Sequence, residues 1–273
     1  MPETVSARAY AKINLFLRVV ERSGDRHLIE SLSQSIDLFD EITLSKSDDD
    51  NVTSDFAGDN SVVVLETLKQ TFHLGGMHLS VKKNIPIGGG LGGSSADAAA
   101  AALACAELWH LPLSRVKKIA APLFGDVAFQ MTGGTAIARG YGEEVDHLPA
   151  LPAYSVLLAF PKNGVSTKEA YALSDTLSKG RGSALSLYWA LTREENAGRH
   201  YLNDLLPAAM ILNDEISPLL EQMKDDKSLL TGMSGSGSTL FSLYKNAEDA
   251  LKKAAELPCE TLVTRMIEPN LAK

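Results

Sequence analysis

Residues 5–20 and 36–45 mix apolar and polar positions with the two-residue period of half-buried strands, and a polar turn at Ser23–His27 lies between them. Asp48–Asn51 followed by Gly58–Asn60 reads as a polar connection. Ser61–His73 then carries Val64, Leu65, Leu68 and Phe72 at helical spacing, and Met77–Val81 returns to a strand. Next comes a glycine cluster, followed by an alanine-rich run to Trp109, whose residues have the highest intrinsic helix propensity. His110-Leu-Pro-Leu-Ser breaks that helix, Ser114 is placed to cap a second one through Ala121, and Pro122–Asp126 forms a turn. Strands are expected at 134–139 and 143–148.

Leu148-Pro-Ala-Leu-Pro-Ala stops regular structure without resembling a long linker, which divides the chain into domains 1–150 and 151–273. Beyond it the pattern restarts with a buried strand at Tyr154–Phe160. Helices are expected near 167–177, 185–194, 205–212 and 214–224, then strand, helix, strand at Ser238–Tyr244, 247–256 and 260–267. The fold class is α+β. No internal repeat occurs, and the alanine helix is the only low-complexity tract.

Composition narrows the functional classes. The 273 residues are 45% hydrophobic and 22% charged, enough for a substantial core, and the formal charge of −8 disfavours non-specific attraction to nucleic-acid phosphates. Only Cys105 and Cys259 are present, so no disulfide framework or paired-cysteine zinc site is supported, and a reducing, cytoplasmic setting fits. The six histidines form no i, i+4 metal pair. The opening MPETVSARAYAKINLFLRVV interrupts its apolar positions with Arg8, Lys12 and Arg18 and is expected to be mature protein. No stretch approaches the roughly 20 apolar residues of a membrane span.

The chemistry concentrates at Pro86–Ser95. Five glycines within Gly88–Gly93 remove the side chains that would keep a backbone from wrapping an anion, and the loop runs into the amino end of a helix, where free N–H groups favour negative charge. Ser94 and Ser95 add hydroxyls, one of which could meet a phosphate-bound magnesium. The sequence lacks G-x-x-x-x-G-K-[ST] and a clean dinucleotide fingerprint, so both familiar nucleotide folds are disfavoured. A flexible hinge would not need a strand before it and a strong helix directly after. A second glycine-rich element, Thr231-Gly-Met-Ser-Gly-Ser-Gly-Ser, could be a tight linker by itself; with the first it suggests two walls of one phosphate site. Phosphoryl transfer also needs charge neutralisation and a carboxylate to take the acceptor's proton. Lys12, inside an apolar strand, and Asp126, in a turn after a helix, are the candidates. A snorkelling lysine and a turn-capping aspartate are the plain alternatives.

Ala11-Lys-Ile-Asn-Leu-Phe-Leu, Pro86-Ile-Gly-Gly-Gly-Leu-Gly-Gly-Ser-Ser-Ala-Asp-Ala-Ala and Thr231-Gly-Met-Ser-Gly-Ser-Gly-Ser resemble the three motifs of GHMP kinases, over nearly the whole chain. The resemblance implies a two-domain fold, an N-terminal domain like ribosomal protein S5 and a ferredoxin-like C-terminal domain, and MgATP as phosphate donor. The turn ending in His27, Gly125-Asp-Val, Val165-Ser-Thr-Lys-Glu-Ala-Tyr and Asn203-Asp-Leu are most similar to the branch whose acceptor is a cytidine diphosphate conjugate of methylerythritol, in non-mevalonate isoprenoid biosynthesis. By that resemblance Asp126 would take the proton of the acceptor's 2-hydroxyl, Lys12 would neutralise developing charge, and Asn14 would orient the methylerythritol hydroxyls. His27 would hydrogen-bond the cytosine edge and Tyr171 would stack on its face, with Thr167 on the same substrate side. Pro86, Ile87, Gly88, Gly89, Gly90, Leu91, Gly92, Gly93, Ser94, Ser95 and Ala96 would hold the nucleotide, with Asn60 and Lys83 toward the adenine. Magnesium would be carried mainly by ATP, with Ser95 as an added ligand.

The sequence departs from that pattern twice. Gly24-Asp25-Arg26-His27 stands where aspartate-glycine-tyrosine-histidine is usual, so Arg26 would replace an aromatic face as a stacking planar cation. The glycine loop is one residue shorter than the commonest form. The rival readings are another GHMP enzyme, such as homoserine kinase or diphosphomevalonate decarboxylase, and a non-catalytic nucleotide-binding protein. The small-molecule partner comes without nucleic acid or membrane, and the chain is expected as a monomer or homodimer.

Overall fold

The structure, a computed structural model, describes residues 3–56, 60–195 and 197–269. The two alternating stretches form one long hairpin, β1 (Thr4–Ser23) and β2 (Arg26–Ser47), turning at Gly24 and Asp25. Gly24 takes φ +62, a left-handed conformation that costs glycine little. Irregularities between Tyr10 and Lys12 and between Asn14 and Phe16 bend β1 where its polar residues sit, as bulges commonly re-aim side chains beside sites.

The N-terminal half continues as β3 (Val52–Ser54), α1 (Asn60–Phe72), β4 (Gly76–Lys82), α2 (Gly93–Leu108), α3 (Leu113–Ala120), a 3₁₀ turn at Ala121–Leu123, α4 (Val127–Gln130), β5 (Thr135–Gly140) and β6 (Glu144–His147). The sheet order is β3-β4-β2-β5-β6, with β1 paired to β2. The alanines of α2 are buried on nearly all sides, and their small side chains let the helix lie close to the hairpin and to α1. That packing fixes the amino end of α2 beside Lys12. Residues 57–59 of the expected polar connection lie outside the described residues.

A second sheet, antiparallel in the order β10-β7-β9-β8, follows from β7 (Ser155–Phe160), β8 (Leu230–Met233), β9 (Leu240–Tyr244) and β10 (Glu260–Arg265). Between and after these strands run α5 (Thr167–Ser174), α6 (Ala184–Thr192), α7 (Leu206–Leu212), α8 (Ile216–Met223) and α9 (Ala247–Ala254). One hydrophobic cluster joins the halves: Ile13, Leu15 and Phe16 of β1 pack with Val156, Leu158 and Phe241 of the second sheet. Main-chain bridges at Leu17–Asn203 and Ile36–Met266 reinforce the junction.

Short elements escape the sequence pattern, among them β3, α4 and β8, each of at most four residues and too brief to show a period. Ser114 does not cap α3; Pro112 holds that position, with its fixed φ of −62 and no side-chain hydrogen bond.

Candidate active site

One cleft of about 310 Å³ collects Lys12, Asn14, Lys83, residues 86–95, Asp97, Asp126, Thr167, Tyr171, Gly235 and Ser236. Its floor is made of backbone against backbone. A Cβ at Gly90 (φ +76) would come within 2.2 Å of the Ser234 carbonyl oxygen, so only glycine lets the two glycine-rich loops touch. Ser234 Oγ donates to the Gly90 carbonyl at 2.8 Å, and the Thr239 N–H donates to Gly89 at 3.2 Å. The second loop is pinned in turn by Asn203, whose amide donates to the carbonyls of Met233 and Gly235, each at 2.9 Å. Thr167 at the start of α5 meets Ser236 at 2.8 Å.

Gly92 (φ +72) leads into α2, whose first turn, residues 93–95, lines the cleft with the positive end of the helix dipole. A Cβ there would collide with the Lys12 side chain and Gln130, so the loop and the lysine fit each other. The Lys12 N–H donates to the Leu91 carbonyl at 3.0 Å, tying β1 to the loop.

Lys12 is almost fully buried, its side chain 5% exposed, and its ammonium lies 3.4 Å from Asp126 Oδ2. It also donates to Asn14 Oδ1, while the Asn14 amide donates to Ser31 Oγ at 2.7 Å and Ser33 Oγ at 3.2 Å. The lysine does not snorkel. Asp126 occupies the N-cap position of α4 but caps nothing with its side chain; the carboxylate is 36% exposed and turned to Lys12. Burial, and then the charge of Asp126, push the Tyr171 phenol up to about 12.

A second lysine centre stands at the other end of the cleft. Lys83 donates to Asp40 Oδ2 at 2.5 Å and to Asp97 Oδ2 at 2.6 Å. Asp40 is saturated, its Oδ1 accepting from the N–H groups of Asn84 at 2.5 Å and Ile85 at 2.8 Å. Asp97 is not: its buried Oδ1 has no hydrogen-bond partner. Burial drives the Asp97 carboxyl up to about 7 against the opposing pull of Lys83. Burial works against the Lys83 ammonium too, but its bonds to Asp40 and Asp97 outweigh it and raise its value.

Four expected residues stand apart from the lining. Ala96 turns to another cavity, shared with Ala100 and Ala104 and walled by residues 6–10 of β1. Asn60 begins α1 outside the cleft. Arg26, expected to stack on the base, lies over the Tyr141 ring, 4.0 Å from its centroid. His27 stacks directly on Tyr171 with ring centroids 4.7 Å apart, and its Nε2 lies 2.8 Å from Asp175 Oδ1. Sequence reasoning missed Asp175, although its i, i+4 spacing from Tyr171 puts both on one helical face. Asp40 gave no local signal, being one of three acids, with Asp37 and Glu41, in the alternating stretch 36–45. Among the described residues no group of three or more histidine, cysteine or acidic side chains could hold a metal ion, and no helix is long and apolar enough to cross a membrane.

Comparison with known proteins places this geometry. Residues 60–136 match the GHMP kinases N terminal domain, and residues 187–264 match the GHMP kinases C terminal domain. A 4-diphosphocytidyl-2-C-methyl-D-erythritol kinase of Desulfitobacterium hafniense is 40% identical over 261 residues, covering 90% of this chain and 89% of its own. The crystal structure of a 4-(cytidine 5'-diphospho)-2C-methyl-D-erythritol kinase superposes with a TM-score of 0.82 at 27% identity, over 96% of this chain and 99% of that one. A homoserine kinase from Cytophaga hutchinsonii shares the fold at a TM-score of 0.70 but only 19% identity, over 98% and 96% of the two chains. With two glycine loops locked together beside a buried lysine and a cleft-facing aspartate, and with that relative aligned along nine-tenths of its length, the chain belongs to the GHMP kinases, in the family of 4-diphosphocytidyl-2-C-methyl-D-erythritol kinases.

Proposed function

We propose that this chain transfers the γ-phosphate of ATP to the 2-hydroxyl of 4-diphosphocytidyl-2-C-methyl-D-erythritol, giving the 2-phosphate and ADP. The observation that carries the proposal is the Lys12–Asp126 pair, which faces the same cleft as the interlocked glycine loops. Phosphoryl transfer asks the protein chiefly for positioning and charge stabilisation, and both are present here.

The nucleotide fits the residues available. Left-handed glycines at 88, 90 and 92 and the amino end of α2 form a concave, side-chain-free wall that suits a triphosphate. Oxygen donors suit magnesium, and the Ser95 hydroxyl, on the cleft, is the residue that would add to ligands supplied mainly by the phosphates. Bound there, the ion would neutralise charge on the transferring phosphoryl group.

Asp126 accepts the proton of the acceptor hydroxyl as its oxygen attacks the γ-phosphorus and the bond to the ADP oxygen breaks. Lys12 keeps that carboxylate oriented and offsets the negative charge gathering on the transferred group. Asn14, held by Ser31 and Ser33, orients the sugar-alcohol hydroxyls. Tyr171 and His27 take the cytosine end, and Lys83 stands toward the adenine. The catalytic half is residues 1–150 and the closing half residues 151–273. Two free cysteines, Cys105 and Cys259, suit a reducing cytoplasm.

Purified protein incubated with MgATP and a panel of alcohols, including the cytidine diphosphate conjugate, homoserine and diphosphomevalonate, tests the assignment. The expected result is a phosphomonoester of the cytidine conjugate, with no carbon dioxide released. Turnover of another panel member in its place overturns it.

A further inference from the structure

The hairpin turn at Gly24 and Asp25 brings His27 opposite Arg22, and both side chains reach the same carboxylate on α5. Asp175 Oδ1 lies 2.8 Å from His27 Nε2, and Asp175 Oδ2 lies 3.3 Å from the Arg22 guanidinium. Tyr171, one helical turn earlier, supports the imidazole from its face at an interplanar angle of 25°. The His27 ring is thus held by an edge contact and a face contact at once, and its side chain is only 10% exposed. None of the sequence motifs quoted above contains Asp175.

A carboxylate only accepts hydrogen bonds, so the hydrogen of the neutral imidazole resides on Nε2. The other nitrogen, Nδ1, makes no hydrogen bond to the described residues and is left as a lone-pair acceptor. We propose that Asp175 is a positioning residue that sets base specificity: by fixing the His27 tautomer, it presents an acceptor that takes the amino group of cytosine and opposes the carbonyl oxygen of uracil at the same place. The proposal rests on the assignment of His27 to the cytosine end. Acceptor facing acceptor leaves both groups unpaired, and a site built for a donor discriminates strongly against an analogue that lacks one.

The test compares wild type with Asp175→Asn and Asp175→Glu on the cytidine diphosphate conjugate and the uridine diphosphate conjugate of the same alcohol. Wild type should favour the cytidine form by about 100-fold or more in kcat/KM, the scale of one well-placed buried hydrogen bond. The amide of Asp175→Asn can turn its NH2 toward Nε2 and so favour hydrogen on Nδ1. Selectivity should then fall about tenfold or more, with the loss expressed in KM for the cytidine conjugate rather than in kcat. Asp175→Glu, which keeps the carboxylate, should recover most of the preference. A selectivity ratio unchanged in Asp175→Asn overturns the proposal.

A second readout needs no turnover. The ¹⁵N resonances of His27 in the wild-type protein should show Nδ1 unprotonated and Nε2 protonated, and Asp175→Asn should reverse or blur that pattern. Hydrogen on Nδ1 in the wild type overturns the proposal whatever the kinetics show. Wild-type protein that phosphorylates neither conjugate while showing the expected resonances contradicts the substrate assignment, and with it the specificity role, but not the tautomer that Asp175 imposes.

Discussion

Lys12 and Lys83 both flank the glycine loop, and both face carboxylates, but their surroundings differ. At the first, a single carboxylate meets the buried ammonium and keeps over a third of its surface open to the cleft. At the second, two carboxylates with 0% and 1% exposed side chains close over one ammonium, and one of them, Asp40, also takes two main-chain N–H groups. A reacting alcohol can approach Asp126 and cannot approach Asp40. On the proposed function, the same ion-pair chemistry would serve proton transfer at one end of the cleft and architecture at the other, with exposure deciding which.

The sharpest way to break this comparison is to neutralise one acid at each end. Asp126→Asn should lower kcat by about 10²- to 10⁴-fold, the usual contribution of a positioned general base, while the melting temperature and ATP affinity change little. An unchanged kcat would falsify the assignment of Asp126. Asp40→Asn should do the reverse, costing on the order of 3–5 kcal/mol of stability by denaturant titration, because it breaks a buried pair and weakens the acceptor for two N–H groups.

Asp97 refines the contrast. With Asp40 saturated, the surplus negative charge of the second centre falls on Asp97, whose Oδ1 is unpartnered and whose carboxyl burial pushes up to about 7 from an ordinary 3.8. Between those values the folded protein holds a proton that the unfolded chain has released. Stability from this group is therefore full below the ordinary carboxylate value and declines as pH rises through about 7. Asp97→Asn should remove that decline, and at neutral pH it should be far milder than Asp40→Asn. Melting curves of the two variants from pH 5 to 8 decide this; an Asp97→Asn protein whose stability still falls across that window would sink the account.

The sequence exposed one end of this machinery better than the other. The phosphate wall was legible because its chemistry is main-chain: five glycines and a following alanine helix announce themselves in a contiguous run. The Lys12–Asp126 pair was nameable because both belong to motifs, but local pattern left a snorkelling lysine equally open, and only the 3.4 Å contact removes that alternative. Asp40 gave nothing because the sheet joins it to Lys83 from 43 residues away, and Asp97, although inside the glycine motif, could not be tied to Lys83 by the 14 residues between them. The base end was the least legible, since the partners of Arg26 and His27 come from β5's end and α5, and no spacing rule connects those segments to the hairpin turn.

Arg26 supplies the smallest of these tests. The sequence suggests a cation stacked on the base, yet its guanidinium rests on Tyr141, whose hydroxyl donates to Ser23 Oγ at 3.0 Å across the hairpin turn. The contact braces the turn that presents His27, and at an exposed site a cation–π pair contributes about 0.5–1 kcal/mol. Tyr141→Leu should cost about that much in stability and Tyr141→Phe less, because the ring face survives. Arg26→Ala should then raise KM for the cytidine conjugate by no more than about threefold, the effect of a slightly looser hairpin rather than a lost stacking partner. A rise of about tenfold or more, with stability intact, would mean that the guanidinium leaves Tyr141 and covers the base when substrate binds.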